Sequence, residues 1–428
     1  MKIPATPIRI IGPLALLFVF CAAAGAAEIP GLTMPDGAGV NIHFIRGHEQ
    51  DLDMISAAGF KFVRMDFFWT ETEKTRGVYD WSGYDELTDN LEKRGLRPYY
   101  IFDYSNPLYE EMVKGQGGTV LASPRHPESV AAFARWTAAA AKHYQGRHVI
   151  WEIWNEPNGG FWQPEPNVAE YTTLALAAAR AVRAAAPSAT IVAPASSGFP
   201  WPYLEQFLQS GVLEYLDGIS VHPYRSPNTP PETAATDYQK LRDLIDKNTP
   251  AGKKSIPIIS GEWGYSSCVD GVSSETQARF IARQQLSNLM NGIPISIWYD
   301  WKNDGEDPKE NEHNFGTVLP NLEPKPAYVA IKTLTHELAG FSIKARMPAS
   351  SPDDFVLIMT NGIGETRLAA WTLGAPHLFT LQVRRGGGSV PIVDSQGSTS
   401  QAAVRARQIV LTLDGGPKYI ALGRVHLK

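Results

Sequence analysis

Eight short apolar runs separated by stretches of helical period occupy residues 39–339 and leave few folds open to this chain. They are Val40 to Phe44, Phe62 to Phe67, Arg97 to Phe102, Val149 to Trp154, Thr190 to Ala193, Gly218 to Val221, Ile256 to Ser260 and Ile295 to Tyr299. Most are continuously apolar, as strands are when both faces are covered. Their alternation with helical stretches predicts a parallel sheet flanked by helices. Eight such units predict closure into an α/β fold of the (β/α)8 TIM barrel kind. The helices are legible too. Val130, Phe133, Ala134, Thr137, Ala141 and Tyr144 share one stripe, and Asn167 with Glu170 forms a cap before the Ala-rich run that stops at Pro187. Trp136 on the first of these helices reads as packing.

After Gly340 the texture changes to short alternating segments with turn residues between them. Asp354 to Thr360, Arg367 to Leu373, Leu378 to Val383 and Gln408 to Leu413 read as strands of a small β-sandwich. Arg384 to Gly388 and Ser395 to Gln401 read as loops. Trp371, the single tryptophan of this region, fits a strand that buries it, so a structural cap is expected rather than a glycan-binding surface.

The amino terminus is of another kind. Lys2 and Arg9 precede the apolar run Ile10 to Phe20, and small residues follow through Ala27. This predicts a secretory signal peptide over 1–27, a barrel over 28–340 and a sandwich over 341–428. The apolar run is shorter than the roughly 20 residues a span requires, so no membrane span is expected. Lipidation at Cys21 is the runner-up, weakened by the bulky Phe20 before it. Loss of the leader takes Lys2 and Arg9 away and moves the formal net charge from −5 to −7. It also leaves Cys268 as the sole cysteine, which predicts a fold held by its core without a disulfide. Mild acidity argues against nucleic acid as a partner and stays compatible with a neutral or cationic glycan. A periplasmic or secreted monomer is expected.

In a barrel of this kind the reacting groups sit at the carboxyl ends of the strands. Polar residues gather there: Asn41 and His43 toward the end of the first run, Arg64 in the second, Asp103 after the third, Asn155 and Glu156 after the fourth. His222 and Tyr224 follow the sixth, Glu262 the seventh, and Trp298, Asp300 and Trp301 close the eighth. Glu156 and Glu262 each terminate a buried strand, where a carboxylate strengthens no core. A facing pair of carboxylates is what glycosidic bond cleavage needs, one to protonate the departing oxygen and one to attack the sugar or activate water. Ordinary strand-end glutamates in polar loops are the bland alternative. Ten of the eleven tryptophans precede Gly340. Of these Trp69, Trp162, Trp263, Trp298 and Trp301 are expected in the cleft as sugar platforms, whereas Trp81, Trp151 and Trp201 are expected to pack. No metal and no cofactor is expected, because the histidines are scattered and no Gly-rich loop has a strand-to-helix context. Cys268 reads as a small buried side chain.

The string Trp151-Glu152-Ile153-Trp154-Asn155-Glu156-Pro157-Asn158, with Phe161-Trp162 after it and Gly261-Glu262-Trp263-Gly264 downstream, resembles clan A retaining glycoside hydrolases. Family 39 is the nearest likeness and family 5 the next. The resemblance spans the barrel and implies Glu156 as acid/base and Glu262 as nucleophile. It further implies that Arg64 and Tyr224 support the nucleophile, Asn155 meets the sugar 2-hydroxyl, His222 lines the cleft and Trp298 floors a subsite. Arg64 near Glu262 would favour the ionised form, while Glu156 must begin the reaction holding a proton. Asn41-Ile42-His43-Phe44 and Arg64-Met65-Asp66-Phe67-Phe68-Trp69 look closest to exported glycosidases associated with bacterial biofilm exopolysaccharide. The expected activity is therefore endo-cleavage of a polysaccharide. An exo-acting glycosidase such as a β-xylosidase, acting on oligosaccharides, and a non-catalytic glycan-binding protein are the alternatives.

Overall fold

The computed structural model describes residues 29–115 and 118–428, so the expected signal peptide and Cys21 lie outside the described residues. Eight parallel strands close into a barrel: β1 (Ala38–Asn41), β2 (Phe62–Phe68), β3 (Arg97–Asp103), β4 (Ile150–Ile153), β5 (Thr190–Ser197), β6 (Gly218–His222), β7 (Ile258–Trp263) and β8 (Ser296–Trp298). Each expected run supplies one strand. The edges differ where backbone pairing rather than hydropathy sets them. β1 stops at Asn41, which puts His43 and Phe44 in the loop, while β5 and β7 continue to Ser197 and Trp263.

Side chains alternate across each strand, so one set of positions fills the barrel and the other meets the helices. Phe62, Tyr99, Ile150, Val192, Ile259, Ile295 and Ile297 form the apolar inner plug. One pleat further toward the carboxyl ends, the inward positions of β2 and β4 become Arg64 and Glu152. The barrel is thus sealed at one end and charged at the other. The outward set packs on helices such as Pro127–His143, which buries Phe133, Ala134, Thr137, Ala141 and also Trp136. The side chain of Asn167 accepts from the backbone N–H groups of Ala169 and Glu170 and caps the helix Val168–Ala185.

A hairpin, Met112–Gly115 with Gly118–Leu121, leaves the barrel after β3. Its exposed, alternating residues carry no continuous apolar run and gave no strand signal.

From Phe341 onward all strands are antiparallel. The larger sheet holds β9 (Phe341–Arg346), β10 (Asp354–Asn361), β11 (Thr366–Thr372), β13 (Ser389–Asp394), β14 (Thr399–Ala403) and β16 (Lys418–Ala421). The smaller sheet holds β12 (His377–Arg385), β15 (Gln408–Leu413) and β17 (His426–Leu427). Val356, Leu368 and Ile420 of the first meet Leu381, Ile409 and Leu411 of the second in one core. The opposite face of the larger sheet, with Phe355, Leu357, Ala369, Trp371 and Tyr419, joins the barrel's core. Trp371 is fully buried there, and its Nε1 donates to Glu232 Oε1 at 2.8 Å, where Glu232 also pairs with Arg283 at 2.7 Å. The two expected loops are shorter than the composition suggested. Arg384 and Arg385 still belong to β12, and Thr399 to Gln401 open β14, because ladder bonds override polar composition.

Candidate active site

Arg64 is the centre of the charged end. It is buried, and it reaches Glu152 from Nη2 at 2.7 Å and from Nε at 2.8 Å, Glu262 from Nη1 at 2.5 Å, and the side-chain oxygens of Asn41 and Asn155 at 3.0 and 2.8 Å. Glu152, wholly buried, also accepts from Tyr99 Oη at 2.8 Å. A methyl group on Gly261 would stand 2.1 Å from Ser220 Oγ and 3.1 Å from Glu152, so a residue without a side chain is needed beside Glu262 to leave room for this layer. Removing the guanidinium would leave Glu152 as an uncompensated buried charge. Arg64→Met is expected to cost about 3–5 kcal/mol of folding stability, read as a lowered denaturant midpoint. Adding Glu152→Gln should recover part of that loss. A midpoint unchanged by Arg64→Met would show that the pair does not hold the barrel.

Glu262 accepts from Tyr224 Oη at 2.7 Å as well as from Arg64. Burial pushes its carboxyl up, but the field of His222 and of Arg64, with hydrogen bonds from Tyr224 and Arg64, outweighs this and holds it below the ordinary glutamate value of 4.5. Burial and the Glu262 charge push the Tyr224 phenol well above its usual range, so it stays a donor.

Glu156 sits across the opening. Its backbone N–H donates to the Ala195 carbonyl at 3.0 Å, across a bulge in β5. Its carboxylate meets His222 Nδ1 at 2.9 Å. Arg64 Nη2 lies 3.4 Å from His222 Nε2 on the other side of the ring, so the imidazole is held between Arg64 and Glu156. Trp154 (φ 69°), Glu156 (φ 46°) and Ala195 (φ 53°) all occupy the left-handed region. Such strain costs of order 1–3 kcal/mol per residue and gathers where function over-determines the backbone. One oxygen of Glu156, one of Glu262 and a ring nitrogen of His222 fall within 4.8 Å of one another.

These groups open into a cleft of about 580 Å³. Of the expected site residues, His43, Arg64, Asn155, Glu156, Tyr224 and Glu262 line it, and His222 lies directly behind Glu156. Asp103 is close by but fully buried. The tryptophans are corrected: Trp69, Trp162, Trp263, Trp298 and Trp301 are all buried and none lines the cleft. Trp69 stacks on Tyr109 and Trp136 and donates to Glu73. Trp162 donates to Glu170, and Trp301 to Asp51. Ile297 faces the barrel interior, so strand alternation turns Trp298 outward, and its register partner Trp263 packs in the same outer core. The cleft's aromatic surface comes instead from Phe68, Tyr104, Phe161, Tyr224, Tyr299 and Phe315. Apart from Tyr224 these escaped the sequence reading, as did Asp66, Glu152 and Glu312. The signal for Asp66 and Phe68 was their spacing of two and four from Arg64 on one strand.

His43, Asp300 and Asp304 also bring one donor atom each within 4.8 Å. Burial lowers the affinity of the His43 ring for its proton, but Asp300 at 3.4 Å raises it further and carries its pKa up to about 9. A recess of about 680 Å³ on the sandwich, lined by Gln401, Arg405, Gln408 and Lys418 among others, offers neither an aromatic ring nor a carboxylate. Cys268 is buried, with Sγ 3.7 Å from Asn311 Oδ1.

Residues 27–305 match the model of the cellulase family, glycosyl hydrolase family 5. The chain belongs to this family. Family 5 membership agrees with the clan A resemblance, although the overall shape is also similar to family 39. A family 39 glycoside hydrolase from the gut symbiont Bacteroides cellulosilyticus WH2 superimposes with a TM-score of 0.79 at 25% identity, covering 92% of this chain and 82% of that one. A family 39 β-xylosidase from Caulobacter crescentus shares the fold at a TM-score of 0.65 and 18% identity, over 92% and 97% of the two chains. Among curated relatives, a β-xylosidase from Geobacillus stearothermophilus is 23% identical over 322 residues, 68% of this chain. The chain spans 61% of that enzyme's length.

Proposed function

We propose that this family 5 member is a retaining glycosidase that cuts β-type glycosidic bonds by double displacement, with Glu262 as nucleophile and Glu156 as acid/base. The observation that carries the reading is the approach of the two carboxylates to within 4.8 Å in unlike surroundings. Retaining enzymes hold their pair about 5 Å apart, whereas inverting ones need about 6.5–9.5 Å to admit a water between carboxylate and sugar.

Glu262, kept ionised by Arg64 and Tyr224, attacks the anomeric carbon while Glu156 gives its proton to the departing oxygen. His222 Nδ1–H holds one oxygen of the Glu156 carboxyl and leaves the other for the departing group. Once Glu262 becomes an ester its charge is gone, and the now ionised Glu156 takes a proton from the incoming water. Asn155, bonded to both Arg64 and Tyr104, is placed to meet the neighbouring sugar hydroxyl. Because the folded-state value of Glu262 lies below 4.5, the acid limb of kcat/KM is expected below that pH. The same depression contributes stability that is present above the unfolded-state value and is lost as pH falls through the folded one. An acid limb centred above pH 5 would assign that limb to another group.

The preferred form is an exported enzyme acting within chains of a bacterial exopolysaccharide. Export is supported by the basic, apolar and small-residue order of residues 2–27. Endo action is supported by a further recess of about 210 Å³ that adjoins the main cleft at Tyr104 and Phe161. The likeness to β-xylosidases favours exo action on xylosides as the second reading. A non-catalytic glycan binder would keep the aromatics but has no use for two opposed carboxylates. Mass spectrometry of products across a panel of polysaccharides decides between these forms: a ladder of chain lengths supports endo action, and a single released sugar supports the other.

A further inference from the structure

Arg64 and Asp66 are two residues apart on β2, so both point into the barrel, with Asp66 about 7 Å nearer the open end. Arg64 reaches Glu262, so Asp66 lies one step above the sugar that would be cut. Asp103 enters the same layer from the adjacent strand β3 and is fully buried. Among the described residues no donor reaches either of its oxygens, while the Asp66 carboxylate stands within hydrogen-bond range. Two ionised carboxylates hold no proton between them, and burial together with the Asp66 charge pushes the Asp103 acid well above its usual range. The contact needs one proton between the two groups, and Asp103, the member sealed from solvent, is the one placed to hold it and hydrogen-bond to Asp66 at the cleft wall.

We infer that Asp66, oriented by the buried Asp103 beside it, is a specificity-determining residue that accepts hydrogen bonds from a sugar seated beside the one being cut, selecting neutral or cationic glycans over acidic ones. This rests on the glycosidase reading above and names the substrate class. Asp66 faces the cleft between Phe68 and Tyr104, whose rings can cover the sugar's apolar face. The cations of the cleft are already committed, Arg64 to Glu152 and Glu262 and His43 to Asp300. Glu312 is a further acidic side chain lining the cleft. A uronate or sulfate would meet repulsion, whereas a pair of hydroxyls or the ammonium of an amino sugar offers the donors Asp66 lacks.

The test uses the full chain carrying Glu262→Gln, with calorimetric binding of gluco-oligosaccharides, glucosamine oligosaccharides and oligogalacturonates of equal length. Asp66→Asn in this background is expected to weaken the neutral or amino chain by about tenfold or more, as loss of a hydrogen bond to a charged group does. Asp103→Leu should weaken it similarly, and Asp103→Asn, whose amide can make the same donated bond, should lose several-fold less. A loss confined to the amino chain and abolished by salt identifies the ammonium as donor, and a salt-independent loss for the neutral chain identifies hydroxyls. Binding unchanged within threefold by Asp66→Asn, oligogalacturonate binding as tight as the neutral chain, or no binding by any of the three would overturn the inference. Aryl β-glycoside hydrolysis by the unsubstituted protein separates the two ideas. Its absence sinks the glycosidase reading while the binding series still decides the role of Asp66.

Discussion

A Glu262→Gln protein is expected to lose at least about 10⁴-fold in kcat/KM on every glycoside the enzyme accepts, about 5 kcal/mol of transition-state stabilisation. The amide keeps the shape and can still bond Tyr224, so the fold and substrate binding should survive. On the proposed mechanism, what disappears is the electron pair that attacks the anomeric carbon. Because that pair is needed whatever the departing group, aryl and alkyl glycosides should fall together. Steady-state kinetics on a leaving-group series, with thermal melting as a control for folding, reads both quantities. Residual activity above a hundredth of the original would assign the attacking group elsewhere, as would inactivation by a fluorosugar ester trap on a peptide lacking Glu262.

Glu156→Ala should behave differently, and the difference identifies the acid. General acid catalysis contributes about 10²–10⁴-fold, but only where the departing oxygen needs a proton. Glycosides of acidic phenols should keep glycosylation rates within about tenfold, and alkyl glycosides should lose about 10³-fold or more. Removal of the carboxylate also opens space beside the anomeric carbon, so azide should restore turnover and yield a β-glycosyl azide. Equal losses across all leaving groups, or an α-glycosyl azide, would reject the assignment. His222 provides an internal comparison: it touches Glu156 at 2.9 Å, so its replacement should displace rather than abolish the acid and give a shallower dependence on the leaving group.

Both predictions name residues legible before any coordinates, and the reason is chemical. A charged side chain at the end of an apolar strand has few structural uses, so Glu156, Glu262 and Arg64 stand out from their surroundings. Tyr224 and His222 were readable for the same reason, two polar groups at the end of Gly218 to His222. Tryptophan carries no such signal. A ring at a strand end has the same composition whether it faces a sugar or a helix, and Trp69, Trp263 and Trp298 went to the helices because pleat and loop packing turned them outward. The alternation of Ile295 and Ile297 with Ser296 and Trp298 held the information for one of them. The rings that do face the cleft, Phe68, Tyr104, Phe161 and Tyr299, are placed by loops and pleat parity that hydropathy does not report.

The buried layer beneath the carboxylates shows the same division. Glu152 is one letter in an apolar string, and its sequence neighbours do not reveal that it meets Arg64 from across the barrel. Nor does local sequence reveal that Asp103, read as a strand-end ligand, is sealed under Asp66 and withdrawn from solvent.

Amino-acid order alone determined the number of barrel strands, the change to antiparallel strands near residue 340 and the two opposed glutamates. Each of these rests on local periodicity or on the cost of placing a charge in an apolar run. Tertiary structure alone decided which aromatics line the cleft, which carboxylates are sealed from solvent and how Arg64 joins four strands. Those outcomes depend on distances between residues far apart in the chain, and closure of the barrel sets them all at once.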